Sequence, residues 1–309
     1  MFDHEKLKVF CRGEIVDFKD ATISIANSGF LYGLGVFTGI RAHYNSATGK
    51  LYIFRPDAHF ARLQFACKIF RYSNFLETYD YPKFLGILKD LIRVNDIRED
   101  TYIRVSNFSD ENRITPKFIY KDSLSAFLYP LGDYVPTGGM RCMISSWTRV
   151  DDNSIPSRPK THGGYVNTAF AKTEALQNGF DEAIFLDRHG HVVEGSAENI
   201  FVVIGGKVIT PPASDNILEG ITRDTVLTII RDLKLPHEER TIARSELYKA
   251  DEIFLTGTGA KVSPVTEIDR YQIGSGKVGP ISQKIQDVYF KAVKGECSEY
   301  MHWLSSAFD

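Results

Sequence analysis

SSWTRVDDNSIPSRPKTHGGY, residues 145–165, is the stretch on which the reading of this chain turns. A serine pair and a tryptophan lead into the acidic loop Asp151-Asp152-Asn153, then Ile155-Pro156, then a single lysine, Lys160, followed by Thr161-His162-Gly163-Gly164-Tyr165. Most lysines are solvated, because an ammonium buried without a partner is costly. This one sits where a Pro- and Gly-rich loop gives way to a helical run. Backbone in such a loop can approach a ligand closely, and the side chain can point into a cleft.

Composition narrows the field around it. At 309 residues the chain has room for two domains, each with a core. A 43% hydrophobic and 25% charged make-up is that of an ordinary globular protein. The formal net charge of −2 removes the electrostatic case for nucleic acid or anionic membrane as partners. No segment approaches the roughly 20 apolar residues of a membrane span, and MFDHEKLKVF does not read as a signal peptide. Cys11, Cys67, Cys142 and Cys297 are scattered without a C-x-x-C pair, which suggests reduced thiols in a cytoplasmic protein. The eight histidines show no metal spacing, so no metal is expected.

The pattern of apolar residues gives an α+β chain. Residues 9–55 read as hairpins of an antiparallel sheet. A Gly33/Gly35 G-x-G match has no βαβ context and carries little weight. Helices are expected from Pro56 to about Tyr72, burying Phe60, Leu63, Cys67 and Phe70, and from Pro82 to about Asn95, burying Leu85, Leu88, Leu91 and Ile92. Strands follow at Thr101–Phe108 and Leu124–Pro130. The Pro/Gly-dense 131–139 reads as a linker between a small N-terminal domain, 1–130, and a larger one, 140–309. The second half shows a helix near Asn167–Gln177, the hairpins EAIFLD–RHG–HVVEG and NIFVVI–GG–KVITPP, a helix opening at Gly220, and a strand running into Thr256-Gly257-Thr258-Gly259. A helix over Pro280–Lys294 closes it.

A lysine in a pocket has one signature use, Schiff-base formation with a carbonyl. That carbonyl can belong to a substrate, as in aldolases, or to pyridoxal 5′-phosphate (PLP). PLP needs donors for its phosphate, a carboxylate for its ring nitrogen and a partner for its phenolate oxygen. Gly220-Ile221-Thr222 offers N–H groups and a hydroxyl at a helix start, Thr256–Gly259 a donor-rich turn, and Glu194 a carboxylate at a strand end. Singly, each is as consistent with a plain cap, a plain turn or a solvated glutamate.

In order, IPSRPKTHGGY, VVEGSAENIF, LEGITRD and FLTGTGAKVSPV resemble the class IV (fold-type IV) PLP-dependent aminotransferases, nearest the branched-chain amino acid aminotransferases. LYGLGVFTGIR, FRPDAHFARL and TYIRV resemble that family's N-terminal motifs, so nearly the whole chain is covered. The resemblance implies a two-domain fold, with a small N-terminal α/β sandwich and a larger C-terminal domain with a β-barrel-like core. It implies Lys160 as the Schiff-base lysine and proton carrier. Glu194 is implied at the ring nitrogen, Arg62, Ile221, Thr222 and Thr258 at the phosphate, and Tyr165 at the phenolate oxygen.

For substrate it implies Tyr32, Phe37, Tyr102, Arg104 and Gly259. Tyr102 and the Thr258-Gly259 N–H groups would take the α-carboxylate, and Arg104 a γ-carboxylate. A homodimer or higher homo-oligomer is implied, acting on Leu, Ile and Val with 2-oxoglutarate. Thr258-Gly259-Ala260-Lys261 departs from the family's usual turn, and DENRITPKFI, 110–119, lacks its Gly-rich form; Arg113 there could add a carboxylate partner. The same fold also hosts D-amino acid and (R)-amine transaminases and aminodeoxychorismate-type lyases. A PLP-independent aldolase would leave the phosphate and ring-nitrogen groups without purpose.

Overall fold

The computed structural model describes residues 6–118, 121–130 and 138–308. The chain packs as two units, the first comprising Met1–Gly132, Pro159–Gly163 and Ala292–Asp309, the second Asp133–Arg158 and Gly164–Lys291. Most of the linker expected at 131–139, and the last residue of the loop 110–119, lie outside the described residues.

In the first unit β1 (Lys8–Cys11) and β2 (Glu14–Asp17) form a hairpin, and α1 (Ser28–Tyr32) precedes the long β3 (Gly35–Asn45) and β4 (Lys50–Phe54). Three helices follow, α2 (Pro56–Ile69), α3 (Ser73–Thr78) and α4 (Tyr81–Val94), then β5 (Thr101–Ser109) and β6 (Asp122–Pro130). Pro56 sits in the first turn of α2, where its missing N–H costs nothing. Asp80 caps α4 by accepting from the Lys83 N–H at 3.0 Å. The seven-stranded sheet includes a C-terminal strand, Leu304–Ser306, antiparallel to β4.

Alternation along β5 sends Ile103 and Val105 into a core with Leu63, Phe75, Phe84, Leu88 and Leu91 of the helices. The other face of β5 carries Tyr102, Arg104 and Ser106. α1 and α3 were not expected from periodicity: they are five and six residues long, too short to show a 3.6-residue repeat. On α4, Phe84 is buried and Leu85 only packs against the core, a small rotation of the expected stripe.

The second unit begins with β7 (Met140–Ile144), α5 (Tyr165–Gln177) and the hairpins β8 (Glu182–Leu186)–β9 (His191–Gly195) and β10 (Asn199–Ile204)–β11 (Lys207–Thr210). It continues through α6 (Ile221–Asp232), β12 (His237–Glu239), β13 (Ile242–Ala243), α7 (Glu246–Lys249), β14 (Glu252–Gly257), β15 (Lys261–Ile268), β16 (Tyr271–Gln272) and α8 (Pro280–Val293). The pairings β10–β14–β15–β7–β8–β9 return to β10 through Asn199↔Glu194, so six strands close into a barrel. Ile144, Ile184, Val192, Ile200, Val202, Ile253 and Leu255 form one buried cluster, while Ala183, Phe185 and Val193 pack with Ala171 and Ala175 of α5.

Two segments expected within 140–309 pack in the first unit instead, each because it covers an edge of that unit's sheet. The C-terminal strand takes the outer edge of β4. Residues 160–162 take the start of β3, which β4 pairs only from Ala42 onward. Unpaired edge N–H and C=O groups demand partners, and these segments supply them.

The C-terminal contact is anchored by Trp303, stacked on Tyr300 at 4.4 Å between centroids and edge-on to Phe54 at 6.1 Å. Trp303→Ala is expected to destabilise the first unit by about 3–5 kcal/mol. A lower urea midpoint, followed by tryptophan-independent far-UV circular dichroism, reads this; an unshifted midpoint would contradict the packing described.

Candidate functional site

In the first unit the chemistry gathers on the start of β3. The Phe37 N–H donates to the Lys160 carbonyl at 2.8 Å, the His162 N–H to the Gly35 carbonyl at 2.8 Å, and Thr161 bridges Val36. A segment so held is extended, so Lys160 and His162 share a face. Both meet Phe37: Lys160 Nζ lies 5.4 Å from its ring centroid, and the His162 ring 5.4 Å from it. A Cβ on Gly35 would come within 2.4 Å of His162 Nδ1, so glycine is what admits this imidazole.

The register Gly39↔Arg104 places Arg104 and Tyr102 on the same face as Phe37. The Arg104 guanidinium is 4.1 Å from the Phe37 centroid and 5.5 Å from that of Tyr102. Tyr102 lies over Gly39, where a Cβ would stand 1.9 Å from its hydroxyl oxygen. Lys160, Phe37, Tyr102 and Arg104 are thereby brought together. Tyr32, 38% exposed at the end of α1, makes none of these contacts, and Arg113 turns to Glu111, its Nε 3.0 Å from Oε2, with its side chain 69% exposed. Arg62, on α2, reaches the opposite face of β3, where its Nη2 donates to Thr38 Oγ1 at 3.1 Å.

The second unit is organised around Glu194, near the end of β9 and buried. Phe185 opposes Glu194 while Leu186 opposes Val192, so β9 carries one extra residue, a bulge. Bulges re-aim the side chain that follows them. Glu194 Oε2 accepts from Asn199 Nδ2 at 3.2 Å and from the Leu218 N–H at 3.1 Å. Arg149 Nε stands 2.8 Å from Oε1 as an ion pair, not a directed hydrogen bond. Arg149 is itself tied down, its N–H donating to the Leu186 carbonyl at 2.9 Å.

Asn199 Nδ2 also donates to the Leu218 carbonyl at 2.8 Å, linking the carboxylate to the chain that enters α6. Gly220 is the N-cap of α6, and a Cβ there would meet Asn199 Oδ1 at 2.0 Å, so the close approach requires glycine. The helix starts with no side-chain cap, and Ile221 and Thr222 are its first two residues, both buried. An uncapped first turn with its dipole is a ready anion site. Thr256, before the turn Thr258-Gly259-Ala260, has a buried hydroxyl with no hydrogen-bond partner among the described residues. A buried hydroxyl left so costs about 1–3 kcal/mol until a partner arrives. Tyr165 opens α5, half-buried. A buried carboxylate, an uncapped helix start and an unsatisfied hydroxyl fit a ligand carrying both a cation and an anion.

Sequence reasoning missed Arg149, Asn199, Thr38 and His59. Arg149 stood within the opening stretch, S-S-W-T-R, but nothing local separates a guanidinium on a buried carboxylate from one in water. Asn199 had one signal, a polar residue opening an otherwise apolar strand.

Comparison with known proteins agrees with this geometry. The family described as Amino-transferase class IV matches residues 35–268. A protein named a probable branched-chain-amino-acid aminotransferase from Aquifex aeolicus is 47% identical over 97% of this chain and 96% of its own. The crystal structure of the branched-chain aminotransferase from the thermophilic archaeon Thermoproteus uzoniensis with norvaline superposes with a TM-score of 0.93 at 38% identity, covering 98% of this chain and 99% of that one. The branched-chain amino acid aminotransferase of Thermobaculum terrenum, in its PLP-form, gives a TM-score of 0.92 at 32% identity, covering 99% of this chain and 100% of that one.

Burial, and then Arg104, pull the His162 imidazole from 6.5 down to about 4. Above 6.5 it is neutral whether the chain is folded or not. Between those values the unfolded chain binds the proton and the folded one does not, so stability falls as pH drops. At about 1.4 kcal/mol per unit the loss reaches about 3 kcal/mol. His162→Asn is expected to lose less stability than wild type between about pH 7 and about pH 4.5, measured by urea midpoints; equal losses would contradict the buried neutral imidazole.

Proposed function

The chain belongs to the class IV aminotransferases, and from that premise we propose that it transfers the amino group of L-leucine, L-isoleucine and L-valine to 2-oxoglutarate, with PLP as cofactor, giving branched-chain 2-oxo acids and L-glutamate. The observation that carries this is the buried Glu194 carboxylate joined through Asn199 to the uncapped start of α6. A ring cation and a phosphate on one rigid ligand match that pair. The alternatives on this fold, D-amino acid or (R)-amine transamination and aminodeoxychorismate-type lysis, draw no support from the relatives named above, which are branched-chain enzymes by name.

When bound, PLP supplies an electron sink that takes up the pair left at substrate Cα when its proton departs. Lys160 would be the amine that holds the cofactor and, once freed from it, the base that takes the substrate Cα proton and the acid that returns it. Glu194 would hold the proton on the ring nitrogen, and Arg149 and Asn199 orient its carboxylate. Ile221 and Thr222 at the helix start, Thr258 in the following turn and Arg62 hold the phosphate. Tyr165 donates to the phenolate oxygen.

One substrate pocket must accept both a branched apolar side chain and a γ-carboxylate. Phe37 and Tyr32 supply apolar wall, Tyr102 with the Thr258 and Gly259 N–H groups binds the α-carboxylate, and Arg104 binds the γ-carboxylate. The Arg104–Phe37 contact, at 4.1 Å, supports a switch between the two. A cation–π contact is worth about 0.5–2 kcal/mol. A charge-assisted pair with a carboxylate exceeds it, so Arg104 rests on the ring with leucine and turns to the acid with glutamate. Arg113 would add a further carboxylate partner only by leaving Glu111, which it meets at 3.0 Å.

The assembly is a homodimer or higher homo-oligomer. Ile25, Phe30 and Ile114 are 84%, 68% and 86% exposed around the Asn27–Asn112 bridge, an apolar surface that a second copy of the chain would cover. The compartment is the cytoplasm, supported by four free cysteines, three of them buried. Among the described residues no helix is long and apolar enough to cross a membrane.

Purified protein is expected to be yellow, and borohydride to fix the pyridoxyl group on Lys160. L-Leucine and L-glutamate should both discharge the absorbance of the bound cofactor, with D-alanine and (R)-phenylethylamine inert; a response to D-alanine without one to L-leucine would refute the substrate assignment. Glu194→Gln is expected to lower kcat by about a hundredfold or more. PLP affinity should fall by about tenfold or less, the scale of one hydrogen bond. Unchanged turnover would remove Glu194 from its role.

A further inference from the structure

On the helix-facing side of β3, two residues that none of the roles above employs, Thr38 and His59, form a relay with Arg62. Arg62 Nη2 donates to Thr38 Oγ1 at 3.1 Å, and Thr38 Oγ1 is 2.6 Å from His59 Nδ1. Thr38 and His59 are both buried, on β3 and α2 of the first unit. The requirement that the buried hydroxyl hydrogen find an acceptor gives the relay one sense. A hydroxyl has one hydrogen and two lone pairs, and a guanidinium only donates. Arg62 therefore occupies a lone pair of Thr38. The hydroxyl hydrogen then goes to His59 Nδ1, the remaining polar atom in reach of it among the described residues. Nδ1 carries no proton, so His59 is the neutral Nε2–H tautomer. Burial, and then the cations of Arg62, Arg55 and Lys160, lower its pKa and hold it neutral.

An unanchored arginine has about 2 kcal/mol of rotamer entropy to lose on meeting an anion. Tethering one Nη beforehand leaves the rest of the fork oriented. We propose that Thr38 and His59 are positioning residues that aim the Arg62 guanidinium at the cofactor phosphate. This rests on the reading of Arg62 as a phosphate ligand. The relay acts on the phosphate alone, so its signature is the preference of the apoprotein for PLP over pyridoxal, which lacks that group.

The test is the dissociation constant of each compound from the full-length apoprotein, by equilibrium dialysis. Thr38→Val, nearly isosteric, should weaken PLP binding about tenfold, or about 1.4 kcal/mol, with pyridoxal binding unchanged. Thr38→Ser should retain the wild-type preference. His59→Phe should lose it and His59→Asn, whose Oδ1 can accept in place of Nδ1, should restore it, so the test survives if one variant fails to fold. Thr38→Val added to Arg62→Gln should have no further effect. If Thr38→Val and His59→Phe keep the preference, or weaken both compounds equally, while Arg62→Gln loses it, the relay proposal is overturned and the Arg62 reading stands. If Arg62→Gln itself keeps the preference, both are overturned.

Discussion

A carboxylate cannot be buried alone, and the second unit is arranged so that Glu194 is not. Its charge is met by Arg149 and its second oxygen by an amide and a backbone N–H. Those partners come from three separate places in the chain, and Glu194 itself from a fourth: the partners from the stretch after β7, the first residue of β10 and the loop before α6, the carboxylate from the bulged β9. Closing the barrel through Asn199↔Glu194 is what makes them neighbours. The same asparagine then dictates glycine at 220, because its side chain occupies the space a Cβ would need. The carboxylate proposed for the ring nitrogen and the helix start proposed for the phosphate are thus tied to one buried ionic arrangement.

The first unit solves a different problem, an uncovered strand edge. β4 leaves the start of β3 without a neighbour, and residues 160–162 supply one. Backbone pairing, not side-chain packing, sets the direction in which Lys160 points. Phe37 then serves three neighbours at once, the ammonium, the imidazole and the Arg104 guanidinium. An aromatic ring beside two cations tolerates an apolar ligand without stranding either charge, which suits a pocket that must alternate between leucine and glutamate.

Legibility followed the range of the interaction involved. The helix start at Ile221–Thr222 and the turn at Thr258–Gly259 were visible because glycine and helix-start chemistry act within a few residues. Glu194 could be named but not distinguished from a solvated glutamate, because what makes it inward-facing is the bulge opposite Phe185, a relation between two strands. Arg62 could be named only through the family resemblance, because its tether to Thr38 joins a helix to a strand residue 24 positions earlier. The departure of α1 and α3 from expectation has the same cause at short range: helices of one turn or so are made by tertiary contacts rather than by their own periodicity.

By itself the sequence determined the α+β character, the long helices and hairpins, and the set of residue types that PLP chemistry requires, because local backbone preference and side-chain chemistry are carried by the residues themselves. Only the tertiary structure decided which cation meets Glu194, which edge holds Lys160, and where the C-terminal strand returns. Each of those depends on burial, and burial is a property of segments brought together from distant parts of the chain: a charge or an open backbone group withdrawn from water must find its partner there, wherever in the sequence that partner lies.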